Sequence, residues 1–248
     1  QAVEVIEHNV ANASTPGYRR QAAVLAAAPA YAPPSIWRDL TAGQMGMGVM
    51  VERVRRFNLE FFDGRYRREI ADAKRWELER DSLRQVEATL AENTGDGLTP
   101  KLDAFWASWQ ALSADPTNTA QRGEVRARAI ALAEGFNHRA QALNAIRADQ
   151  DLSVTQRVSE VNTLATQIAN LNAEISRVRS VGDQPNDLMD ERDRALDRLA
   201  EIAGAVSSEQ PNGEVIVSIG GHALVVGHTT FSLTPTPDPA NSNLAKVA

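Results

Sequence analysis

Apolar residues recur at helical spacing through the middle of the chain, most regularly between residues 154 and 178. There, β-branched residues stand seven apart, and a second, mostly leucine series lies between them. This a and d heptad pattern is typical of helices that pack along a continuous seam. The first series is Val154, Val161, Ile168 and Ile175, and the second is Leu164, Leu171 and Val178, with Arg157 interrupting its first position. We expect this seam to close within the chain, against helices at 67–90 and 119–150, because short connections favour antiparallel neighbours.

Helical periodicity also predicts further helices on both sides of the seam. They cover 1–13, 67–90, 98–112, 119–150 and 187–203. Thr99 and Pro100 suit the N-cap and first position of the helix at 98–112. The same helix carries Trp106 and Trp109, and aromatic residues at this spacing usually anchor one helix on another. We therefore expect both tryptophans in the core; if exposed, they would mark a surface for a partner.

The segment 18–66 lacks helical periodicity. Pro29, Pro33 and Pro34 are incompatible with a helix interior, so the segment is predicted to be extended and loop-like. Glycines 43, 46 and 48 indicate a turn before a short strand at 49–54.

The pattern changes again after Gly204. Pro211, Asn212 and Gly213 form a hairpin turn signal between strands at 206–209 and 214–219. A further strand is predicted at 222–226, followed by a loop rich in proline, threonine and asparagine. The chain is therefore predicted to be mainly α: an elongated antiparallel helical bundle with an extended N-terminal segment and a small β region at the C-terminal end. The expected domains are 1–66, 67–204 and 205–248.

Composition excludes several classes of function. The 248 residues include 26 basic and 32 acidic side chains, a net charge of −6, which gives no general attraction for nucleic acid or anionic lipid. The sequence has no cysteine, which excludes disulfides, thiolate catalysis and cysteine-ligated metal. No apolar run approaches the roughly 20 residues that span a bilayer. The first ten residues do not resemble a secretory signal, and both ends look like cuts in a longer protein.

Enzyme-like features are weak. Glycines 43, 46 and 48 have neither the order nor the position of a dinucleotide-binding turn. His222 and His228 could share a strand edge, but no third metal ligand is placed beside them. The charged run 187–198 has the pattern of a solvated helix face, and nothing in it separates the pKa values of neighbouring carboxylates. We expect no catalytic residue, no metal and no cofactor.

The most specific stretch is residues 9–21, NVANASTPGYRRQ, which we call the N-terminal signature. Locally it reads as a helix end followed by a turn at Pro16 and Gly17 and the start of a strand. Its order of residues resembles the N-terminal segment of bacterial flagellar axial proteins, the family of rod, hook and hook-associated proteins. In that family the segment ends a terminal helix that packs into the core of the filamentous assembly.

Other segments resemble the family's hook–filament junction members. They are 46–54, the helix-turn-helix region 105–132, the sequence IANLNAEI at 168–175 and the sequence NDLMDERD at 186–193. Rod and hook proteins of the family lack this long helical middle. The family's C-terminal helix, which pairs with its first helix, has no counterpart in these 248 residues.

The resemblance implies a structural subunit that joins hook to filament by self-association and packing with neighbouring axial proteins. The implied partners are further copies in a ring, the hook protein, a second junction protein and an export chaperone, with neither nucleic acid nor membrane among them. The implied location is the extracellular flagellum, reached through the flagellar secretion apparatus. The expected assembly residues are Asn9, Asn12, Thr15, Pro16, Gly17, Tyr18, Arg19 and Gln21.

Two alternatives stay open at this point. The chain could be a coiled-coil adaptor or secreted effector, which requires the heptad seam to be exposed for a different partner. It could also be a scaffold that carries an enzyme domain outside this fragment, which requires a cleft with convergent acids or a metal.

Overall fold

The computed structural model describes residues 1–29, 46–90 and 97–247. Most of them lie in five helices: α1 (Ala2–Ala11), α2 (Glu60–Leu90), α3 (Leu98–Ala114), α4 (Thr119–Ser180) and α5 (Asn186–Ala203). The strands are β1 (Gln21–Ala27), β2 (Val49–Arg56), β3 (Val206–Glu209), β4 (Val215–Ile219), β5 (His222–Val226), β6 (Thr229–Thr230), β7 (Pro235–Asp238) and β8 (Leu244–Val247). The predicted loop at Pro33 and Pro34, the turn at Gly43 and residues 91–96, between the predicted helices at 67–90 and 98–112, lie outside the described residues. The mainly α prediction is confirmed.

Several predicted boundaries were wrong. Helix α2 begins at Glu60 rather than at 67; Glu60 and Asp63 in its first turn favour a helix start by interacting with the helix dipole. Helix α3 is capped by Gly97, so Thr99 and Pro100 lie inside its first turn. The predicted helix at 119–150 and the heptad segment form one continuous helix, α4, of 62 residues.

The C-terminal tail was predicted to be a loop but contains the hairpin of β7 and β8. Pro235 and Pro237 are tolerated because a two-stranded sheet consists only of edge strands. The predicted strands at 206–209, 214–219 and 222–226 are present as β3, β4 and β5, with Gly213 at a φ of +87° in the turn between β3 and β4. They form an antiparallel sheet in the order β3, β4, β5 and β6, in which β6 was not predicted.

The chain forms two compact units. Unit 1 comprises 1–72 and 160–233, and unit 2 comprises 73–159 and 234–248. Helices α2 and α4 each contribute residues to both units. The predicted division into three consecutive domains, 1–66, 67–204 and 205–248, stays a prediction.

The core of unit 1 is built on the second half of the heptad seam. Val161, Ile168 and Ile175 of α4 expose 2% or less of their surface. The apolar cluster around Val161 and Ile168 is completed by α5, through residues such as Leu199, and by strands β4 and β5, through residues such as Val217. The seam therefore closes within the chain, as expected, but the predicted partners at 67–90 and 119–150 were wrong. Burial of this part of the seam removes the feature that the adaptor alternative requires.

Two asparagines of α4 connect the helix to the β region. Asn172 is fully buried; its Nδ2 donates to the Val215 carbonyl at 2.9 Å, and its Oδ1 accepts from the Val215 amide at 3.1 Å. Asn162 makes the same two-way contact with the backbone of Leu233, with both distances 2.9 Å. Each side chain thus substitutes for a missing strand partner.

Unit 2 is packed differently. In α3, Leu98 lies so close to the α4 backbone that a Cβ on Gly135 would stand 3.1 Å from its Cδ2. Trp106 and Trp109, however, expose 57% and 46% of their surfaces, so their predicted place in the core was wrong. The spacing argument failed because it places the residues on one helix face without saying whether that face is covered. No helix among the described residues is both long enough and apolar enough to cross a membrane.

Candidate functional site

The N-terminal signature begins as the last turn of α1 and then reverses the chain. Asn12 caps the helix end, with its Nδ2 donating to the His8 carbonyl at 3.1 Å. Thr15 Oγ1 donates to Asn12 Oδ1 at 3.2 Å and holds the following turn. Gly17 then takes a φ of +74°, which favours glycine. The predicted helix end and turn are confirmed.

Asn9 closes the signature into a loop. Its Nδ2 donates to the Gln21 carbonyl at 2.8 Å, and the Gln21 amide donates back to its Oδ1 at 2.8 Å. The Tyr18 hydroxyl donates to the same Asn9 oxygen at 2.8 Å and lies 3.0 Å from His8 Nδ1. The asparagine amide is therefore the hub that fixes the start of β1 against α1.

The closed loop is attached to the N-terminal part of α5. The Arg19 amide donates to Asp190 Oδ2 at 3.1 Å, and Gln21 Nε2 donates to Asp187 Oδ1 at 3.3 Å. Asn186 Nδ2 returns a hydrogen bond to Gln21 Oε1 at 3.1 Å. The two most specific stretches of the sequence, 9–21 and 186–193, thus meet in space.

Beneath this contact, three arginines face four aspartates in what we call the ion-pair cluster. Its members are Arg19, Arg56, Arg67, Asp63, Asp190, Asp193 and Asp197. Arg56 is at its centre: Nε donates to Asp190 at 2.6 Å, and a terminal nitrogen contacts Asp193 at 2.5 Å. The Arg56 and Asp190 side chains expose only 4% and 3% of their surfaces.

The other two arginines extend the cluster to α2 and along α5. Arg19 contacts Asp63 at 2.6 Å and Asp193 at 3.4 Å. Arg67 contacts Asp197 at 2.7 Å and Asp193 at 3.2 Å. Asp193 is therefore shared by all three arginines, and it links the signature, β2, α2 and α5 in one network.

The cluster separates the pKa values of two neighbouring carboxyls. Burial raises the pKa of Asp193, but Arg56, Arg19 and Arg67 outweigh it, and the net pKa lies below its usual range. For Asp197, burial is the largest effect and the nearby Asp193 charge adds to it, so its pKa is raised despite Arg67. The prediction of a solvated helix face at 187–198 was therefore wrong for these aspartates, as was the expectation that nothing separates their pKa values.

A cavity of about 420 Å³ lies beside the cluster and is lined by Glu60, Arg67, Asp193 and Glu209 among others. Burial, followed by the nearby Glu209, raises the pKa of Glu60. Across the described parts of the chain, no three histidines, aspartates or glutamates converge as metal ligands. The cavity thus offers paired charges and one carboxyl with a raised pKa.

The structure unites only part of the expected assembly set. Asn9, Tyr18, Arg19 and Gln21 contact one another or α5. Asn12 and Thr15 contact each other, Gly17 lies against the Arg194 side chain of α5, and the turn of Thr15, Pro16 and Gly17 is exposed. Sequence reasoning missed Arg56 and Arg67, and it misassigned the aspartates that hold them. One signal was available for the aspartates: Asp190, Asp193 and Asp197 follow helical spacing and share one face. No local signal marks the two arginines as their partners.

Comparison with known proteins gives a consistent result. The family described as "Flagellar hook-associated protein FlgK helical domain" matches residues 83–248. Flagellar hook-associated protein 1 of Bacillus subtilis is 34% identical over 221 residues, which cover 89% of this chain and 44% of that protein. The protein of the same name from Salmonella typhimurium is 28% identical over 250 residues, covering 100% of this chain and 44% of that protein.

A solved structure shares the fold. The flagellar hook junction protein FlgK from Burkholderia pseudomallei matches with a TM-score of 0.61 and 23% identity, over 71% of this chain and 30% of that one. The chain spans less than half the length of the curated relatives it matches.

Proposed function

We propose, from the premise that this chain belongs to the FlgK family of flagellar hook-associated proteins, that it is part of a structural subunit joining hook to filament in the bacterial flagellum. It acts by self-association and by packing against neighbouring axial proteins outside the cell. The observation that carries the proposal is the attachment of the N-terminal signature to α5 through the buried ion-pair cluster. This attachment fixes the terminal helix to the core of unit 1.

The attachment leaves the apolar stripe of α1 uncovered. Val3, Ile6 and Val10 expose 65%, 62% and 72% of their surfaces, while the opposite face carries Asn9. An apolar stripe on a helix whose polar face is fixed in place is available for packing against neighbours, where burial contributes about 25 cal/mol per Å².

The signature residues have two roles in this proposal. Asn9, Asn12, Tyr18, Arg19 and Gln21 set the orientation of α1 within unit 1, through their contacts within the chain. The exposed turn of Thr15, Pro16 and Gly17 contacts neighbouring subunits.

The proposed partners are further copies in a ring, the hook protein, a second junction protein and an export chaperone. We propose no enzymatic role, since Asp193 and Asp197 are held by arginines rather than presented to a substrate. Neither nucleic acid nor membrane is a proposed partner, because the net charge of −6 favours neither.

Deletion of the gene in the source bacterium tests the proposal. The expected result is complete hooks without attached filaments and filament protein released into the medium, with recovery when the full-length protein is restored. Normal attached filaments on the deletion strain would refute the junction function.

A further inference from the structure

An acidic groove lies along strand β2. It has a volume of about 920 Å³ and runs between α1, β2 and the segment that joins α4 to α5. Its exposed carboxylates are Glu4, Glu52, Asp183 and Asp187, and apolar side chains including Val51, Val54 and Leu188 also line it. Among the described residues, Arg53 is the one arginine or lysine that lines it. The groove therefore suits a cationic group that also carries an apolar surface.

A group of this chemistry exists in the same unit and is defined here as the arginine corner: Arg20, Arg55 and Phe57. The guanidinium carbons of Arg20 and Arg55 each lie 5.4 Å from the centroid of the Phe57 ring. The ring is 43% exposed, and both arginines are exposed. No carboxylate within the described part of the chain forms an ion pair with Arg20 or Arg55, in contrast to the neighbouring Arg19 and Arg56.

The corner lies on the face of the ribbon opposite to Gln21 and Arg56, and none of its three residues lines the groove. Gln21 and Arg56 pair across the strands, are buried, and point towards α5, and Gln21 also lines the groove. Because side chains alternate along a strand, Arg55 points to the other face. Phe57 follows on that same face, where its amide donates to the Arg20 carbonyl at 3.0 Å.

We infer that a second copy of this chain places its arginine corner in the acidic groove. The inference rests on the proposed function, because it specifies how the self-association occurs. Guanidinium groups form charge-assisted hydrogen bonds with carboxylates, and the Phe57 ring contributes apolar surface for the valines and leucine of the groove. Two different surfaces make a head-to-tail contact, and repetition of such a contact produces a ring or a helical array.

Cysteine cross-linking tests the contact in intact flagella. The 248 residues contain no cysteine, so Arg20→Cys and Asp183→Cys can be introduced into the full-length protein on a background free of other cysteines. Mild oxidation of the double variant should give a ladder of multimers. Each single variant should stay monomeric, because the contact joins two different surfaces. Dimers from a single variant, or cross-linking of Asp183→Cys to a different flagellar protein, would overturn the inference.

A matched cysteine pair distinguishes a specific contact between subunits from random collision. Arg65 and Arg68 are exposed on α2 in the same unit. The pair Arg65→Cys with Asp183→Cys should give no ladder. A ladder as strong as that of the corner–groove pair would mean that the cross-links report crowding.

Charge exchange provides a second test. Arg20→Glu with Arg55→Glu makes the corner acidic, and Glu52→Lys with Asp183→Lys makes the groove basic. Each variant alone places like charges together at the contact and should reduce the number of attached filaments per cell about tenfold or more. Co-expression should restore them, since the acidic corner of one variant meets the basic groove of the other, and the unchanged corner and groove also meet. The pair Arg65→Glu with Arg68→Glu is the control for net charge and should keep filaments attached.

The outcomes distinguish the inference from the function on which it rests. If the deletion strain lacks attached filaments and the acidic-corner variant restores them fully, the junction function stands and the corner–groove contact is wrong. If both charge variants fold, as judged by unchanged thermal melting, and their mixture stays defective, the contact is also wrong. If the deletion strain has normal filaments, the proposed function itself fails.

Discussion

The two units bury their apolar side chains to very different extents. Among the described residues, sixteen of the eighteen buried apolar side chains lie in unit 1, and only Val125 and Val158 lie in unit 2. Unit 2 instead leaves large apolar residues 46–60% exposed on all three of its helices. Examples are Trp76 and Leu83 of α2, Trp106 and Trp109 of α3, and Phe136 of α4.

The ion-pair cluster of unit 1 is also more deeply buried than the Arg128–Glu124 pair of unit 2. The cluster of unit 1 is buried around Arg56, whereas the pair of Arg128 with Glu124 in unit 2 leaves about half of each side chain exposed. Buried pairs are costly to break, and exposed ones contribute little. Unit 1 thus contains its own stabilising contacts, while unit 2 retains apolar surface that neighbouring molecules can cover. That distribution agrees with a subunit that functions by packing.

The largest effect is expected from Asp190→Ala in the ion-pair cluster. The change leaves Arg56 without one partner in a buried site and removes the acceptor of the Arg19 amide. Loss of one member of a buried pair costs about 3–5 kcal/mol of unfolding free energy. Urea unfolding combined with hydrogen exchange and mass spectrometry measures this cost for the peptides of unit 1.

An exposed acid is the control for Asp190→Ala. Glu7 is exposed on α1, and Glu7→Ala should change the unfolding free energy by no more than about 0.5 kcal/mol. Equal effects of the two substitutions would show that the cluster does not stabilise unit 1.

A matched pair of leucine truncations compares the two cores directly. Leu199→Ala removes a side chain of 0% exposure from unit 1 and should cost about 2–5 kcal/mol. Leu83 of unit 2 is 60% exposed, so Leu83→Ala should cost about 0.5 kcal/mol or less. Far-UV circular dichroism during urea unfolding measures both. Similar costs would mean that unit 2 has a tighter core than its exposure indicates.

The pH dependence of stability should have opposite signs at two aspartates of α5. The folded pKa of Asp193 is lowered because its arginines outweigh burial, so its contribution is present above its unfolded pKa of about 3.9 and is lost as pH falls through the folded value. The folded pKa of Asp197 is raised, chiefly by burial, so its contribution is present below about 3.9 and is lost as pH rises through the folded value.

Asparagine substitutions isolate these two titrations. As pH falls from about 5 to about 2, the stability advantage of the wild type over Asp193→Asn should shrink, by at most about 1.4 kcal/mol per pH unit. Over the same fall in pH, the unfolding free energy of the wild type should increase relative to that of Asp197→Asn. Glu124→Gln in unit 2 is the control and should show little change, because its ion pair is exposed. Parallel trends for the two aspartates would contradict the electrostatic account.

Periodicity predicted the helices and half of the core correctly, because burial of Val161, Ile168 and Ile175 follows from a local repeat. It did not predict that α5 and strands β4 and β5 cover this seam, since a repeat specifies a face and not the element that covers it. The same reason explains the error at Trp106 and Trp109.

The sequence identified the two segments that form the site, but not the contacts between them. The order of residues in 9–21 and 186–193 marked both as specific segments, and the spacing of Asp190, Asp193 and Asp197 placed three carboxylates on one face. The pairing of Asp190 and Asp193 with Arg56 joins residues 134 and 137 positions apart, and no local rule links residues at that separation. The long-range pairs of the ion-pair cluster could be identified only from the folded structure.

The smallest effect is expected from a glycine substitution in unit 2, where helix propensity matters more because packing contributes less. Gly123 lies in α4. Apart from its chain neighbours and the backbone of α4 itself, no atom of the described residues stands within 4 Å of the position that an alanine methyl would take, so Gly123→Ala should stabilise the helix by about 0.5–1 kcal/mol. Gly135→Ala is the matched control, since its Cβ would approach the Leu98 side chain at 3.1 Å and lose part of that gain. Thermal unfolding followed by tryptophan fluorescence is suitable, because Trp76, Trp106 and Trp109 all lie in unit 2. An equal gain in stability for both variants would show that Leu98 moves aside without cost. A loss of stability for Gly123→Ala would contradict the prediction that an alanine methyl fits at that position of α4.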